Sequence, residues 1–332
     1  MPPNMPQMPK FTLIIPVKEI NVYVLETVSY ILKLNQTAWE LLIIPNESSV
    51  TEWRDERIRV IPSGRVGPGL KRDLGAEKAK GEILVFLDDD SYPRKDLLDV
   101  ALKYFANDKI AAIGGPAITP AQDPFWARVS GAVFLSRFAG GSPERYVPFG
   151  PSREVDDWPS VNLMMRRADF MSVGGFSVPY WPGEDTKLCL DIVKTGRKII
   201  YAPDLIVWHH RRPGLAAHLK QLGAYGLHRG YFARIYPETS FKLQYFIPSA
   251  FLLFVVLSVF LPLMPSIAEN LFFAGWILYG AALLLALRDF LKYERLSVSL
   301  CSMLYMFLTH LVYGARFIQG FALTKNLVSK LR

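Results

Sequence analysis

The C-terminal part of the chain contains three stretches with almost no charge, and these stretches restrict the possible folds most strongly. Residues 246–264 contain no charged side chain, and at about 1.5 Å per helical residue they can cross a hydrocarbon core of about 30 Å. Residues 271–287 are also uncharged, and residues 297–313 contain a single histidine, His310. Helices of soluble proteins rarely lack charge around their whole circumference. The sequence therefore predicts a membrane domain at residues 245–332 with about three transmembrane helices.

The loops between these stretches differ in their basic residues. The loop at 265–270 has no Lys or Arg, whereas the loop at 288–295 carries Arg288, Lys292 and Arg295. By the positive-inside rule the second loop faces the cytoplasm, and residues 1–10 lack the pattern of a secretory signal. We therefore expect a multi-pass protein of the inner or plasma membrane with a cytoplasmic N-terminal domain. With an odd number of spans, the basic C-terminal residues Lys325, Lys330 and Arg332 would lie outside the cell, against the same rule. The side of the membrane on which the C-terminus lies therefore stays open.

Charge and cysteine content narrow the classes of partner. The net charge is +8, and basic residues collect shortly before the first apolar stretch: Arg211, Arg212, Lys220, Arg229, Arg234 and Lys242. Such a cluster is typical of attraction to anionic membrane lipids, so residues 211–244 are predicted to form a basic, amphipathic interfacial segment. Nucleic acid is not expected as a partner. Cys189 and Cys301 are the only cysteines, which argues against a disulfide framework.

The N-terminal part of the chain alternates short apolar runs with helical patterns. The runs at 11–17, 40–44, 57–61 and 82–87 are typical of buried strands, and they are separated by helical patterns at 22–34 and 71–80, the second ended by Gly81. This alternation predicts an α/β domain over residues 11–210, with an open, mostly parallel sheet flanked by helices. Residues 1–10 are expected to be disordered or extended. In such sheets ligands bind beyond the carboxyl ends of the strands.

Three consecutive carboxylates follow the most strand-like run. Asp88, Asp89 and Asp90 repel one another, so a counter-cation is the simplest reason for their placement. In an extended segment Asp88 and Asp90 point the same way, and Asp89 points elsewhere. One or two carboxylates completed by substrate phosphates are the usual magnesium or manganese site. The alternative is a solvated acidic turn before Pro93.

A second acidic pair, Glu184 and Asp185, follows a loop rich in Gly, Pro and aromatic residues at 173–185 and starts a helical pattern. Acidic residues in a first helical turn are commonly caps, and this remains an alternative for Glu184. A carboxylate near a metal site can also act as a general base that removes the proton from an attacking hydroxyl. Asp185 is the candidate for that role.

Five segments together resemble glycosyltransferase family 2, over about residues 10–240. They are IPVKE at 15–19, FLDDDSYP at 86–93, the segment at 162–176, GED at 183–185 and APDLIVWHHRR at 202–212. The apolar stretches and the segment at 218–230 are most similar to the bacterial branch that builds exopolysaccharide repeat units, such as succinoglycan glycosyltransferases.

The resemblance implies a GT-A fold and an inverting mechanism. Asp88 and Asp90 fall on the family's DxD motif, Asp185 falls on the general base, and His209 or His210 falls where relatives present a histidine to the metal or diphosphate. A histidine pair that merely ends a strand is the alternative. The residues implied in donor binding are Pro16, Asn46, Glu47, Lys71, Arg72, Asp88 and Asp89, although Lys71 and Arg72 would also suit a solvated helix face. The residues implied on the acceptor or diphosphate side are Trp181, Glu184, Arg211, Arg212 and Gln221.

Two departures from the family pattern leave details open. The second strand is followed by Asn46 and Glu47 rather than by an acidic pair, so the base of the nucleotide is not determined. The QxxRW signature of processive synthases is absent, which disfavours processive synthesis. Gln221, Tyr225 and Arg229 share one face of a predicted helix and would equally suit contact with lipid headgroups.

The sequence thus favours an enzyme: a glycosyltransferase that requires Mn²⁺ or Mg²⁺ and uses a UDP- or GDP-sugar type of donor. Its acceptor is expected to be lipid-linked, of polyprenyl type, or a glycan, in polysaccharide or glycoconjugate biosynthesis. A polyprenyl-phosphate monosaccharide synthase is the nearest alternative. A nucleotidyltransferase and a non-enzymatic membrane scaffold or sugar-nucleotide sensor are more distant ones.

Overall fold

The protein is described here by a computed structural model that covers residues 9–48, 53–139, 141–176, 178–263 and 265–327. The chain forms two compact units. Of the described residues, the sheet unit comprises those up to Ile118 and Val147–His209, and the helical unit comprises Thr119–Tyr146 and His210–Leu327. Most of the N-terminal segment expected to be disordered or extended lies outside the described residues, as do Lys330 and Arg332.

Strands and helices alternate along the chain as far as residue 209, and helices follow after it. They are β1 Phe11–Pro16, α1 Val22–Ile31, β2 Trp39–Ile44, β3 Ile58–Val60, α2 Pro68–Lys78, β4 Ile83–Leu87, β5 Ser91–Pro93, α3 Leu97–Phe105, β6 Ile110–Gly114, β7 Ala117–Ile118, α4 Phe125–Ala132, β8 Arg153–Val155, β9 Asn162–Arg166, α5 Arg167–Ser172, α6 Glu184–Lys194, β10 Lys198–Tyr201, β11 Val207–His209, α7 Leu215–Ile235, α8 Pro237–Ser240, α9 Leu243–Ser258, α10 Ser266–Phe290 and α11 Leu296–Ile318.

The sheet unit is built on an eight-stranded sheet in the order β3-β2-β1-β4-β9-β6-β10-β8. Strands β3, β2, β1 and β4 are parallel, as are β6 and β10, which confirms the predicted mostly parallel α/β sheet. Strand β9 is antiparallel to both β4 and β6, and β8 is antiparallel to β10. A second sheet has the order β5-β11-β7.

The central strands are buried on both faces, which explains their continuous apolar sequences. Every residue of β1, β2 and β4 is buried. Leu13 and Ile15 pack with residues of α1 and α3, whereas Ile14 packs with residues of α2, α5 and α6. Each such side chain contributes about 1.5–3 kcal/mol by leaving water. The carboxyl ends of these strands are thereby held by a close-packed core.

The boundaries of α2 differ from the sequence prediction. The helix begins at Pro68 and ends at Lys78, with the C-cap Ala79 already extended, so Gly81 does not end it. Gly81 is required for a different reason, because a Cβ there would lie 2.6 Å from the backbone of Phe11 and Thr12. The earlier start places Lys71 and Arg72 on the buried side of the helix.

In the helical unit, α7 packs closely against α11. A Cβ on Gly226 would lie 2.7 Å from the carbonyl oxygen of Tyr313, and one on Gly230 would lie 2.1 Å from that of Phe317. His218 is buried between Ser130 Oγ at 2.7 Å and Thr309 Oγ1 at 2.9 Å. The segment predicted to lie at a membrane interface thus contains a helix with a packed inner face.

Two helices among the described residues are long and apolar enough to cross a membrane, by length and composition. They are Ser266–Phe290, with a mean hydropathy of 1.9, and Leu296–Leu323, with 1.5. The first apolar stretch of the sequence forms the shorter helix α9, which has 16 residues and contains Pro248. At about 1.5 Å per residue, α9 is shorter than the hydrocarbon core of about 30 Å.

Candidate active site

Strand pairing brings together two of the aspartates and one histidine. Asp88 and Asp90 lie between β4 and β5, and β5 pairs antiparallel with β11 so that His209 lies opposite Ser91. His209 Nε2 is 3.0 Å from Asp90 Oδ1. One ligand atom from each of Asp88, Asp90 and His209 lies within 4.8 Å of the others. Residues from two distant parts of the chain therefore form one cluster.

This cluster, the DDH cluster, has the donor set of a divalent-cation site. Carboxylate oxygens suit Mn²⁺ or Mg²⁺, an imidazole nitrogen can supply a further ligand, and all three side chains are half-buried. Of the two neighbouring histidines, His209 belongs to the cluster. His210 does not: its Nδ1 lies 2.5 Å from Asp123 Oδ1 within the helical unit.

Asp89 has a different environment from its two neighbours. Asn21 Nδ2 donates to its Oδ2 at 3.2 Å, and Asn21 also caps α1 through the backbone N–H groups of Tyr23 and Val24. Burial, followed by the charges of Asp90 and Asp88, raises the pKa of Asp89 to about 6. Asp89 thus links the acidic loop to the start of α1.

Arg72 connects the aspartates that follow β4 to the acidic pair at the start of α6. Its Nη2 donates to Asp88 Oδ1 at 2.6 Å, and its Nη1 donates to Glu184 Oε1 at 3.2 Å. Arg72 is 3% exposed and Glu184 is 4% exposed, so the solvated helix face considered for Arg72 is wrong. Burial raises the pKa of Glu184, the Asp185 charge adds to this effect, and Arg72 opposes it.

Asp185 lies in the first turn of α6 and is held by backbone groups. Its Oδ1 accepts from the N–H of Thr186 at 2.8 Å, and its Oδ2 accepts from the N–H of Ser160 at 3.3 Å. The contact with Ser160 could not be found from the sequence, because it involves a backbone group that any residue supplies. Asp185 is half-buried, so its carboxylate is oriented without being enclosed.

Lys71 is buried next to Arg72 and joins two strand ends. Its Nζ donates to the Val17 carbonyl oxygen and to Asn46 Oδ1, the latter at 2.6 Å. Burial lowers the pKa of Lys71, and the Asp89 charge opposes this shift. The side-chain oxygen of Asn46, a predicted donor-binding residue, is therefore already engaged by Lys71.

Comparison with known proteins identifies the family. Residues 8–225 match the family model described as glycosyltransferase like family 2. The chain belongs to this glycosyltransferase family. The prediction from the sequence motifs is thereby confirmed at the level of the family.

Two curated relatives of this glycosyltransferase match over part of their length. A pre-mycofactocin glycosyltransferase of Mycobacterium tuberculosis (strain CDC 1551 / Oshkosh) is 26% identical over 160 residues, which are 48% of this chain and 33% of that protein. The dolichyl N-acetyl-alpha-D-glucosaminyl phosphate 3-beta-D-2,3-diacetamido-2,3-dideoxy-beta-D-glucuronosyltransferase of Methanococcus voltae is 22% identical over 191 residues, or 56% of this chain and 57% of that protein. The chain thus matches about a third to somewhat more than half of these relatives.

Among solved structures, the fold is similar to the mannosyltransferase PcManGT from Pyrobaculum calidifontis in complex with GDP-Man and Mn²⁺. The TM-score is 0.51 at 15% identity, and the match covers 95% of this chain and 88% of that one. The similarity confirms the predicted GT-A type of fold.

The other residues that the family resemblance implied have varied surroundings in this glycosyltransferase. Pro16 is the buried last residue of β1, and Glu47 is exposed and 3.9 Å from Arg65. Trp181 is half-buried in the loop before α6. The last three of these residues belong to the helical unit and are half-buried: Arg211, Arg212 and Gln221.

Arg211 and Gln221 are held by neighbours in the helical unit. Arg211 Nε donates to Thr119 Oγ1 at 3.2 Å, and its guanidinium lies 5.0 Å from the ring centroid of Tyr146. Gln221 Nε2 donates to the Tyr225 hydroxyl at 2.8 Å, which places the two side chains on one face of α7 as predicted. The acceptor-side role of Arg211 and Gln221 stays a prediction.

Proposed function

We propose that the protein is a metal-dependent, inverting glycosyltransferase that moves a sugar from a UDP- or GDP-sugar type of donor to a lipid-linked acceptor at the cytoplasmic face of a membrane. The observation that carries the proposal is the connection of two acidic groups in one unit. The DDH cluster and Asp185 are linked through Asp88, Arg72 and Glu184. A cation site and a carboxylate base in one place are what direct displacement at a sugar carbon requires.

Asp88, Asp90 and His209 are the residues that would hold the cation. Their carboxylate oxygens and imidazole nitrogen lie close enough together for a shared ion. When bound, a divalent cation supplies positive charge that stabilises the departing nucleoside diphosphate. Asp89 and Lys71 support this loop and the adjoining strand ends rather than the cation itself.

Asp185 is proposed as the general base. The acceptor hydroxyl oxygen forms a bond to the anomeric carbon, the bond from that carbon to the diphosphate oxygen breaks, and the hydroxyl proton passes to the Asp185 carboxylate. Attack opposite to the leaving group inverts the anomeric carbon. The two backbone N–H donors on Asp185 orient the carboxylate for this transfer.

A membrane-bound acceptor is supported by the helical unit and by one relative. The chain carries two helices that meet the length and composition of membrane spans. The name of the Methanococcus voltae relative describes transfer to a sugar carried on a dolichyl phosphate. Together these observations favour a lipid-linked acceptor over a soluble glycan.

The test is to incubate the purified full-length protein with a panel of nucleotide-sugars and Mn²⁺ or Mg²⁺, and to identify the products by chromatography. The proposal predicts cation-dependent release of a nucleoside diphosphate from at least one donor. Release of pyrophosphate would instead indicate a nucleotidyltransferase. A donor that raises the melting temperature without any product in the presence of lipid-linked acceptors would contradict the enzymatic assignment.

A further inference from the structure

Arg72 is a buried cation whose directional contacts go to two carboxylates from separate parts of the sheet unit. Asp88 follows β4, and Glu184 is the first residue of α6. The third nitrogen of the guanidinium, Nε, is buried and has no hydrogen-bond partner among the described residues. A planar guanidinium fixes the direction of each partner more strictly than an ammonium group does. The side chain is therefore placed to set the geometry of both carboxylates at once.

The first turn of α2 also fixes the approach to α6. A Cβ on Gly69 would lie 3.2 Å from Phe176 Cβ and 3.6 Å from Glu184 Cγ, so helix and loop are in close contact there. Asp73 Oδ1 accepts from the Phe176 N–H at 2.7 Å. Arg72 thus acts from a helix that is itself tied to the segment preceding the general base.

The Arg72 guanidinium is shared between Asp88 and Glu184. One guanidinium faces two carboxylates, and a buried carboxylate without a partner is strongly disfavoured in its ionised form. A divalent cation on Asp88 would neutralise that carboxylate and leave the charge of Arg72 to Glu184. Cation binding at Asp88 and the pairing of Arg72 with Glu184 are then thermodynamically linked. The change that one of them causes in the free energy of the other is the same in both directions.

We propose that Arg72 is a positioning residue that couples cation binding at Asp88 to the placement of Glu184 and, through the adjacent backbone, of Asp185. In this role Arg72 contacts neither the nucleotide-sugar nor the acceptor, unlike the donor-binding role implied by the family resemblance. The catalytic consequence rests on the proposed function, whereas the coupling to cation binding does not.

A double-mutant cycle on Mn²⁺ affinity tests the coupling. The free Mn²⁺ is measured by electron paramagnetic resonance with full-length wild type, Glu184→Gln, Arg72→Gln and the double variant. With Arg72 present, Glu184→Gln directs the whole guanidinium charge to Asp88 and weakens Mn²⁺ binding by about fivefold or more. With Arg72→Gln, no guanidinium connects Glu184 to Asp88, so the same substitution changes the affinity by less than about twofold.

Equal effects of Glu184→Gln in both backgrounds would overturn the coupling. Melting temperatures identify a variant that does not fold, and Arg72→Lys then replaces Arg72→Gln in the cycle. Lysine keeps the charge but loses the fork, so a reduced coupling is expected there as well.

Steady-state kinetics distinguish positioning from donor contact. For Arg72→Lys we expect kcat to fall by about tenfold or more while the KM for the donor stays within about twofold. A raised KM with unchanged kcat would show donor binding and overturn the proposal. Arg197→Lys is the matched control, since Arg197 pairs with Asp169 at 2.6 Å in the same unit and should leave both constants unchanged. If wild type turns over no donor, the proposed function fails, but the Mn²⁺ cycle still decides the coupling.

Discussion

The two neighbouring histidines show how strongly a single residue position determines chemistry. His209 lies 3.0 Å from Asp90, whereas His210 pairs with Asp123. Their order in the sequence does not distinguish them, because successive residues of a strand point to opposite sides and the sequence does not reveal which side faces the carboxylates. The pairing of β11 with β5 makes this choice.

Substitution of each histidine should separate their roles. His209→Ala removes one of three proposed ligands, so we expect Mn²⁺ affinity to fall by about tenfold or more, in the range found for altered metal sites. His210→Ala should change Mn²⁺ affinity by less than about twofold, although the loss of its contact with Asp123 lowers the melting temperature. Isothermal titration calorimetry with Mn²⁺ measures the affinities of both variants and of the wild type. A stronger effect from His210→Ala would reverse the assignment.

The acidic residues of the site could be predicted from the sequence, but their supporting contacts could not. Asp88, Asp90 and Asp185 stand out because carboxylates cluster at a strand end and at a helix start. The burial of Arg72 depends on the residue at which α2 begins, which is Pro68 rather than residue 71 as the sequence pattern predicts. The contact from Ser160 involves a backbone N–H, so its position is fixed by tertiary structure alone.

At the scale of helices and strands, the contact between α7 and α11 depends on glycine. A Cβ on Gly230 would lie 2.1 Å from the carbonyl oxygen of Phe317, which is too close for a real side chain. A helix–helix contact of this kind requires small residues on the facing sides. The helical pattern of this segment was visible in the sequence, but the partner of its inner face was not.

Gly230→Ala should therefore destabilise the helical unit. We expect a loss of about 1–3 kcal/mol, since the two backbones must move apart. Gly280→Ala in α10 is the matched control: nothing lies within 4 Å of a Cβ at that position. Alanine favours a helix over glycine by about 1 kcal/mol, so this control should leave stability unchanged or raise it. Thermal unfolding in detergent measures both, and an equal loss in the two variants would contradict the close contact.

His218 in α7 predicts a pH dependence of stability. Burial lowers the pKa of His218 to about 4. An exposed imidazole has a pKa of about 6.5, so between these values the unfolded chain binds more protons and stability falls as the pH decreases. The loss begins near pH 6.5 and is complete near pH 4. His218→Asn should have a smaller loss of melting temperature than wild type over this range, and the difference between the two proteins excludes contributions from other groups. Parallel curves would contradict the assignment.

At the scale of the whole molecule, the sequence predicts the class of fold correctly. The alternation of strands and helices and the family motifs led to the GT-A fold, which the similarity to a solved mannosyltransferase confirms. The antiparallel strand β9 was not predicted, because an apolar run is compatible with either direction. The stretch at 246–264 forms α9 as far as Ser258, and the number of spans stays a prediction.

The membrane orientation can be tested by labelling single cysteines. In a Cys189→Ser, Cys301→Ser background, we expect Glu269→Cys, in the first turn of α10, to react with an impermeant maleimide on intact cells, since residues 265–270 include no Lys or Arg. Lys292→Cys should react only after permeabilisation, because its loop is basic. The reverse pattern would contradict a cytoplasmic sheet unit.

The central claim is that Asp185 acts as the general base beside the DDH cluster, and one comparison tests it most directly. Asp185→Asn and Asp191→Asn are measured for donor-induced change in melting temperature and for transfer in the presence of Mn²⁺. Asp191 lies on the same helix and pairs with Lys187, outside the proposed site. We expect Asp185→Asn to bind donor as wild type does and to lose transfer by about 100-fold or more, with Asp191→Asn unaffected. Transfer at the wild-type rate by Asp185→Asn would contradict the account.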